Sequence, residues 1–285
     1  MPNRRLFFIC SCFLVLLAAC EPPAEVQLIK EDNGVEVTSL VLGDTTFALS
    51  QIDTNGVLPR EELAFSGTFV VNNVQHDDGQ GVRVASFARA IVMDRNKPVQ
   101  IGDRTFGYHG ADLGSLYLSG NPMVRREHRV PVSDLTVAAG FEYGKPEGLV
   151  YEPSRTYIWT ADSIGGIGVP VDAPGLLMVQ SPIGGSTISS DADLELRWTS
   201  EGDVVIVISM FQRFAKVRPM LQIKPRGHGS AVVPAKVLQL LPRDHLYFFT
   251  FIQANRREVS VTHPFLTGIV LVQAASVYNS VVVLR

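Results

Sequence analysis

Short runs of Val, Ile, Phe and Thr alternate with clusters of Gly, Pro, Asn and Asp, and this texture constrains the fold of the chain more than any other feature. β-Branched and aromatic side chains suit a pleated, half-buried surface, while Asn-Gly and Asp-Gly supply the positive φ of tight hairpins. Candidate strands in the first half are Val35–Leu42, Ala64–Val74, Val82–Met93, Leu113–Leu118, Thr136–Phe141 and Tyr157–Thr160. Turn signals lie between them at Asn55-Gly56, Asp77-Asp78-Gly79, Asn121-Pro122 and Lys145-Pro146. No long stretch repeats apolar residues at helical spacing. The best short helix is Pro234–Leu241, where Pro234 suits a first turn and Pro242 would stop it. The pattern predicts an all-β protein, a sandwich or a barrel.

Residues 161–185 are rich in Gly and Pro, which places a boundary near Met178–Pro182. Beyond it, strands are expected at Leu194–Trp198, Val204–Phe211, Met220–Ile223, Leu246–Ile252, Glu258–Thr262, Gly268–Ala274 and Val277–Leu284. About seven strands in about a hundred residues is the count of an immunoglobulin-like sandwich. Ser181-Pro182 at entry, Leu194-Glu195-Leu196-Arg197-Trp198, Gly229–Pro234 and Leu238–Pro242 carry a resemblance to the Ig-like modules of bacterial envelope proteins. That resemblance covers roughly residues 178–285. It implies an adhesive or architectural role and no catalytic residue. No cysteine pair flanks Trp198, unlike the antibody pattern, so Trp198 is expected in the core.

The expected organisation is a signal peptide at 1–19, a tether at 20–34, an N-terminal β-sandwich at 35–178 and an Ig-like β-sandwich at 179–285. Arg4 and Arg5 precede an apolar run from Leu6 to Ala19, broken only by Ser11 and two cysteines. A basic start, an apolar middle and small residues before a cut define a secretory signal. At about 1.5 Å per residue the run reaches roughly 20 Å, short of a hydrocarbon core of about 30 Å. Leu17-Ala18-Ala19-Cys20 resembles the lipobox of bacterial lipoproteins. The resemblance implies diacylglyceryl transfer to the Cys20 thiol, cleavage before it, and attachment to a membrane. Glu21 departs from the aspartate that retains enteric lipoproteins at the inner membrane, which favours the outer membrane.

Of the three cysteines, cleavage would remove Cys10 and Cys12, and lipid would occupy Cys20. Stability must then come from a packed core rather than disulfides. The chain has 25 Lys+Arg and 28 Asp+Glu, and without Arg4 and Arg5 the excess is more acidic still. No basic stripe is visible, which argues against a nucleic-acid partner. The adjacent basic pairs Arg125-Arg126 and Arg256-Arg257 read as solvated strand ends or loops.

Catalytic chemistry has little to stand on. His76, His109, His128, His228, His245 and His263 are scattered, with no HExxH and no paired Cys ligands. His76-Asp77-Asp78 and His109 with Asp112 are the nearest approaches to a metal cluster, and both read first as polar turns or loops. Asp53-Thr54-Asn55-Gly56 resembles part of a calcium loop, but its glycine falls too early, so it reads as a turn. No GxSxG elbow is present, and no lysine follows Gly165–Gly168 to make a phosphate cradle. Tyr108, Tyr117, Tyr143, Tyr151, Tyr157, Trp159 and the run Tyr247-Phe248-Phe249 supply either core or a platform for sugars or proteins. No catalytic residue, metal ligand or cofactor is assigned, and Cys20 is the one expected modification site. The expectation is a lipid-anchored cell-envelope protein with a non-enzymatic binding, adhesive or structural role toward a protein or glycan partner. The alternative is an envelope hydrolase whose N-terminal half is catalytic and whose Ig-like half is accessory.

Overall fold

The structure is a computed structural model, and it describes residues 28–30, 35–40, 65–132, 135–145, 148–161, 168–212, 216–263 and 266–285. The signal segment, Cys20, and Asp53-Thr54-Asn55-Gly56 lie outside the described residues. The described chain is almost all strand. In order come β1 (Leu28–Lys30), β2 (Val35–Ser39), β3 (Gly67–Asp77), β4 (Val82–Ile101), β5 (Arg104–Gly110), β6 (Leu116–Leu118), β7 (Asn121–Pro122), β8 (Val124–Val132), β9 (Leu135–Gly144) and β10 (Thr156–Ala161). There follow β11 (Val169–Asp172), β12 (Met178–Ser181), β13 (Thr187–Ile188), β14 (Leu194–Thr199), β15 (Val204–Gln212), β16 (Lys216–Pro225), β17 (Ser230–Val233), β18 (His245–His263) and β19 (Leu266–Leu284). A single turn of helix, α1 (Ala235–Leu238), is shorter than the Pro234–Leu241 expected from sequence.

One large sheet runs β1-β2-β16-β15-β18-β19-β3-β4-β5-β9-β8, and two small sheets, β11-β10-β6-β7 and β12-β14-β17, lie on the same face of it. Each small sheet closes a sandwich. In the first, Phe69, Val71, Ala90, Val270 and Val272 meet Leu116, Leu118, Tyr157 and Trp159. In the second, Ile206, Ile208, Tyr247, Phe249, Phe251 and Val282 meet Leu196, Trp198 and Val233. Strand alternation sets this face, and the α1 residues Val237 and Leu238 cap the second core. The burial is the main stabilising term, at about 1.5–3 kcal/mol per large apolar side chain.

Sequence reading split the last two strands in four. The structure joins Leu246–Ile252 and Glu258–Thr262 into β18, and Gly268–Ala274 and Val277–Leu284 into β19, each 19 residues long. They pair antiparallel from His245↔Leu284 to His263↔Leu266. At about 3.3 Å per residue each spans roughly 60 Å. The hairpin therefore belongs to both sandwiches: β15 pairs with its first half through Val204↔Gln253 to Met210↔Tyr247, and β3 runs parallel to β19 from Val270↔Gly67 to Ser280↔Asp77. Polar residues in the two gaps are hydrogen-bonded: Ser276 accepts the Leu177 N–H at 2.8 Å, and Asn255 donates to the Asp172 carbonyl at 2.8 Å.

The second sandwich links its two layers through β13. β12, β14 and β17 form one layer, while β13 crosses to the other and pairs parallel with the last strand at Thr187↔Val283. Tyr247, near the start of β18, donates its hydroxyl to the Pro242 carbonyl at 2.8 Å and ties the preceding turn to the strand.

The later part of the Gly- and Pro-rich connection, from Leu177 to Gly185, is docked on the sheet. Gln75 donates to the Leu177 carbonyl at 2.7 Å, Ser280 donates to the Pro182 carbonyl at 2.6 Å, and the Gly185 N–H reaches the Val281 carbonyl at 2.7 Å.

Candidate functional site

Among the histidines of the first half, the fold separates His76 from His109. His76 on β3 lies opposite Arg83, whereas His109 on β5 lies opposite Asp94, and both partners belong to β4. Eleven residues divide Arg83 from Asp94, so strand rise alone puts roughly 35 Å between the two imidazoles. His76 sits on the face of the large sheet opposite the small sheets, its ring 5.8 Å from that of Phe248, and burial followed by the Arg83 charge lowers its pKa. His128 is buried on β8 with Nδ1 3.4 Å from Glu142 Oε2. Glu142 also accepts from Arg89 at 3.1 Å. The hydrogen bond from His128, then the Arg89 charge, hold the Glu142 carboxyl below its ordinary range against the opposing effect of burial. Among the described residues, no group of three or more His, Cys, Asp or Glu side chains is placed to hold a metal ion.

Asp77 and Asp78 do structural work. Asp77 accepts the N–H groups of Gly79 and Gly184, each at 3.0 Å, and the Tyr278 hydroxyl at 3.0 Å. Burial pushes its pKa up, but these three donors outweigh burial and hold it low. Asp78 caps the turn through the Gln80 N–H at 3.0 Å and pairs with Arg83. Most of the candidate aromatics are core: Tyr143, Tyr151, Tyr157, Trp159, Tyr247 and Phe249 are all buried, while Phe248 points to the opposite face and is half-buried.

Polar groups do converge at Asp112, though not with His109. A cleft of about 390 Å³ opens beside it, lined by Ser115, Leu116, Tyr117, Pro122, Met123, Arg125 and Tyr143. Strand register builds it, because Arg125 on β8 lies opposite Tyr143 on β9. Tyr143 drops its ring into the first core and presents its hydroxyl at the cleft. That hydroxyl accepts the Leu113 N–H at 2.8 Å and lies 3.0 Å from Asp112 Oδ1 and 3.1 Å from the Gly114 carbonyl. Burial, reinforced by the Asp112 carboxylate, pushes the Tyr143 phenol up to about 12. Asp112 in turn takes the Gly114 N–H at 3.0 Å and Arg125 Nη1 at 2.8 Å. The Gly114 N–H first, then Tyr143 and Arg125, hold its carboxyl low. The Arg125 guanidinium lies 4.6 Å above the Phe141 ring, which fixes its plane.

The arrangement suits binding rather than proton transfer. Asp112 stays ionised and Tyr143 stays protonated near neutral pH, so neither is poised for acid–base work there. A second cleft of similar size lies along Ser181–Ile183 and Ser186–Ser189, but the one charged side chain lining it, Asp193, is engaged by the Ala235 N–H at 2.8 Å. From sequence, Asp112 pairs with His109, Tyr143 stands among the candidate aromatics, and Arg125-Arg126 reads as a solvated strand end or loop. The missing signal was the β8–β9 register, which a single sequence does not display. Comparison with protein-family models, curated proteins and solved structures finds no match.

Proposed function

We propose that the protein is a lipid-anchored binding component of the bacterial cell envelope, held to the membrane through Cys20 and acting without catalysis. The observation that carries this reading is the N-terminal sequence: Arg4-Arg5, an apolar run, and Leu17-Ala18-Ala19-Cys20. Two or more acyl chains give stable attachment, each buried methylene contributing about 0.8 kcal/mol. Glu21 favours the outer membrane over the inner. Among the described residues no helix is long and apolar enough to cross a membrane. The distance between His76 and His109 lends the hydrolase alternative no support, and a cleft with a fixed guanidinium beside a held carboxylate supports recognition of a partner, a glycan or a protein.

The test is metabolic labelling with an alkyne fatty acid, followed by membrane fractionation, of the wild type and Cys20→Ser. The wild type is expected to incorporate label and to sediment with membranes. The variant is expected to lose label and to keep its signal segment or leave the membrane fraction. Equal labelling and fractionation of the two would overturn the reading.

A further inference from the structure

We propose that the cleft lined by Arg125, Tyr117 and Tyr143, with Asp112 bonded to Arg125 beside it, is a subsite for a neutral, polyhydroxylated ligand, one or two sugar residues of an envelope glycan. This deepens the binding role proposed above and rests on it for the source of the ligand. It does not rest on it for the ligand's chemistry.

Three observations select that chemistry. The first is charge. Arg125 and Asp112 sit side by side at 2.8 Å with side chains 52% and 43% exposed, so their charges cancel locally while both remain accessible. An anionic ligand gains from Arg125 but meets the Asp112 carboxylate, and a cation meets the reverse. A hydroxyl both donates and accepts, so neighbouring hydroxyls satisfy a carboxylate and a guanidinium together. The second is preorganisation. Stacking on Phe141 and the bond to Asp112 fix the Arg125 plane before any ligand arrives, which lowers the ordering cost of the N–H donors left over. The third is the wall. Tyr117 alternates with the buried Leu116 and Leu118 on β6, so its half-buried ring faces away from the core and lines the cleft beside Pro122. A flat apolar ring next to a few fixed polar groups matches the two surfaces of a pyranose, one of C–H bonds and one edge of hydroxyls. A volume of about 390 Å³ falls within the range of small-ligand sites, about 300–1,000 Å³.

The experiment uses the full-length lipidated protein in zwitterionic detergent micelles. The probes are neutral tetrasaccharides of gluco, galacto, manno and N-acetylgluco configuration, with tetragalacturonate as the anionic counterpart. Binding is read by saturation-transfer NMR and titration calorimetry. At least one neutral probe is expected to bind. Arg125→Met and Tyr117→Ala should each weaken it about tenfold or more, while Arg129→Met, an exposed change on the same strand, leaves it unchanged. Arg125→Lys, which keeps the charge but loses the planar fork, should fall with Arg125→Met. No binding by any neutral probe, binding that survives both cleft variants, or tighter binding of tetragalacturonate than of the neutral galacto probe would overturn the assignment. Fractionation of the same preparations separates the two readings. Membrane-held protein that binds no sugar removes only the cleft assignment, and sugar-binding protein found free of membranes removes only the anchor.

Discussion

Asp77 accepts the backbone N–H of Gly184 at 3.0 Å across 107 residues of sequence. The bond joins the β3–β4 turn of the first sandwich to the chain that enters the second. Space at this crossing is tight. A Cβ on Gly184 would come within 2.4 Å of the Asp77 carbonyl oxygen, and one on Gly79 within 2.8 Å of Gly185 Cα. Two backbones meet here because glycine lets them, and the Asp77 carboxylate fills the donor vacancies they create.

Replacing Asp77 with Ala is therefore expected to destabilise the protein by about 3 kcal/mol, since the Gly184 N–H and the Tyr278 hydroxyl are left buried without their acceptor. The pH dependence has a definite sign. The folded-state pKa of Asp77 is lowered, so its contribution is complete above the ordinary aspartate value and is lost as pH falls through the folded value. Urea melts of the wild type and Asp77→Ala should converge as pH drops below about 4. A gap that stays constant from pH 7 to pH 3 would show that the charge is not what holds the junction.

The two tryptophans offer a second test, because each sandwich core holds one: Trp159 in the first and Trp198 in the second. Neither indole N–H has a hydrogen-bond partner among the described residues, so Trp→Phe at either position forfeits no such bond there and leaves a single reporter of the other sandwich. The hairpin β18–β19 serves both cores, and unfolding one sandwich would strip paired strands from the other. Phe249→Ala empties a fully buried site in the second core, at a cost of about 3–5 kcal/mol. In a Trp198→Phe background, where only Trp159 reports, the fluorescence midpoint is expected to shift as far as it does in a Trp159→Phe background. A Trp159 transition unmoved by Phe249→Ala would mean that the sandwiches unfold independently.

The sandwich character was legible because it is written in local alternation. Leu194–Trp198 and Val204–Phe211 were expected within a residue of β14 and β15, and the opposite facing of Phe248 to Tyr247 and Phe249 follows from the period of two. Two things were hidden. β8 is not among the strands expected from sequence, where Arg125-Arg126 reads as a solvated strand end or loop; it is an edge strand, where charge guards against mispairing. β19 passes through Gln273, Ala275 and Ser276 without a break, because its sheet faces are both buried and its polar groups find partners distant in sequence. The cleft was hidden for the same reason: Asp112, Arg125 and Tyr143 meet only once β8 and β9 are in register.

Gly140 positions that register. It has φ of +78°, and a Cβ there would stand 2.1 Å from the Gly110 carbonyl oxygen, while a Cβ on Gly110 would stand 2.0 Å from the Phe141 carbonyl oxygen. The clash is with backbone on both sides, so no side-chain rotation relieves it. Gly140→Ala is expected to cost more than the ~1–2 kcal/mol of left-handed backbone alone, and to displace Phe141 from beneath Arg125. Thermal melts should show the loss of stability. A Gly140→Ala protein as stable as wild type would mean that the two strands part easily at this point.

On the other face of the same hairpin, Glu142 holds Arg89 at 3.1 Å and His128 at 3.4 Å, with the Arg89 and Glu142 side chains about one-quarter exposed and His128 almost fully enclosed. Such a cluster lies between an exposed pair, worth about 0–1 kcal/mol, and a buried one, whose breaking costs about 3–5 kcal/mol. Glu142→Gln keeps the shape and removes the charge, so a loss of roughly 1–3 kcal/mol near neutral pH is expected. The carboxyl is held below its ordinary value, so the wild-type advantage is complete above about pH 4.3 and fades as pH falls through the lowered value. Chemical denaturation of both proteins from pH 7 to pH 3 measures this directly. Equal stability at pH 7 would show that the desolvation of Arg89 and His128 cancels what the carboxylate returns.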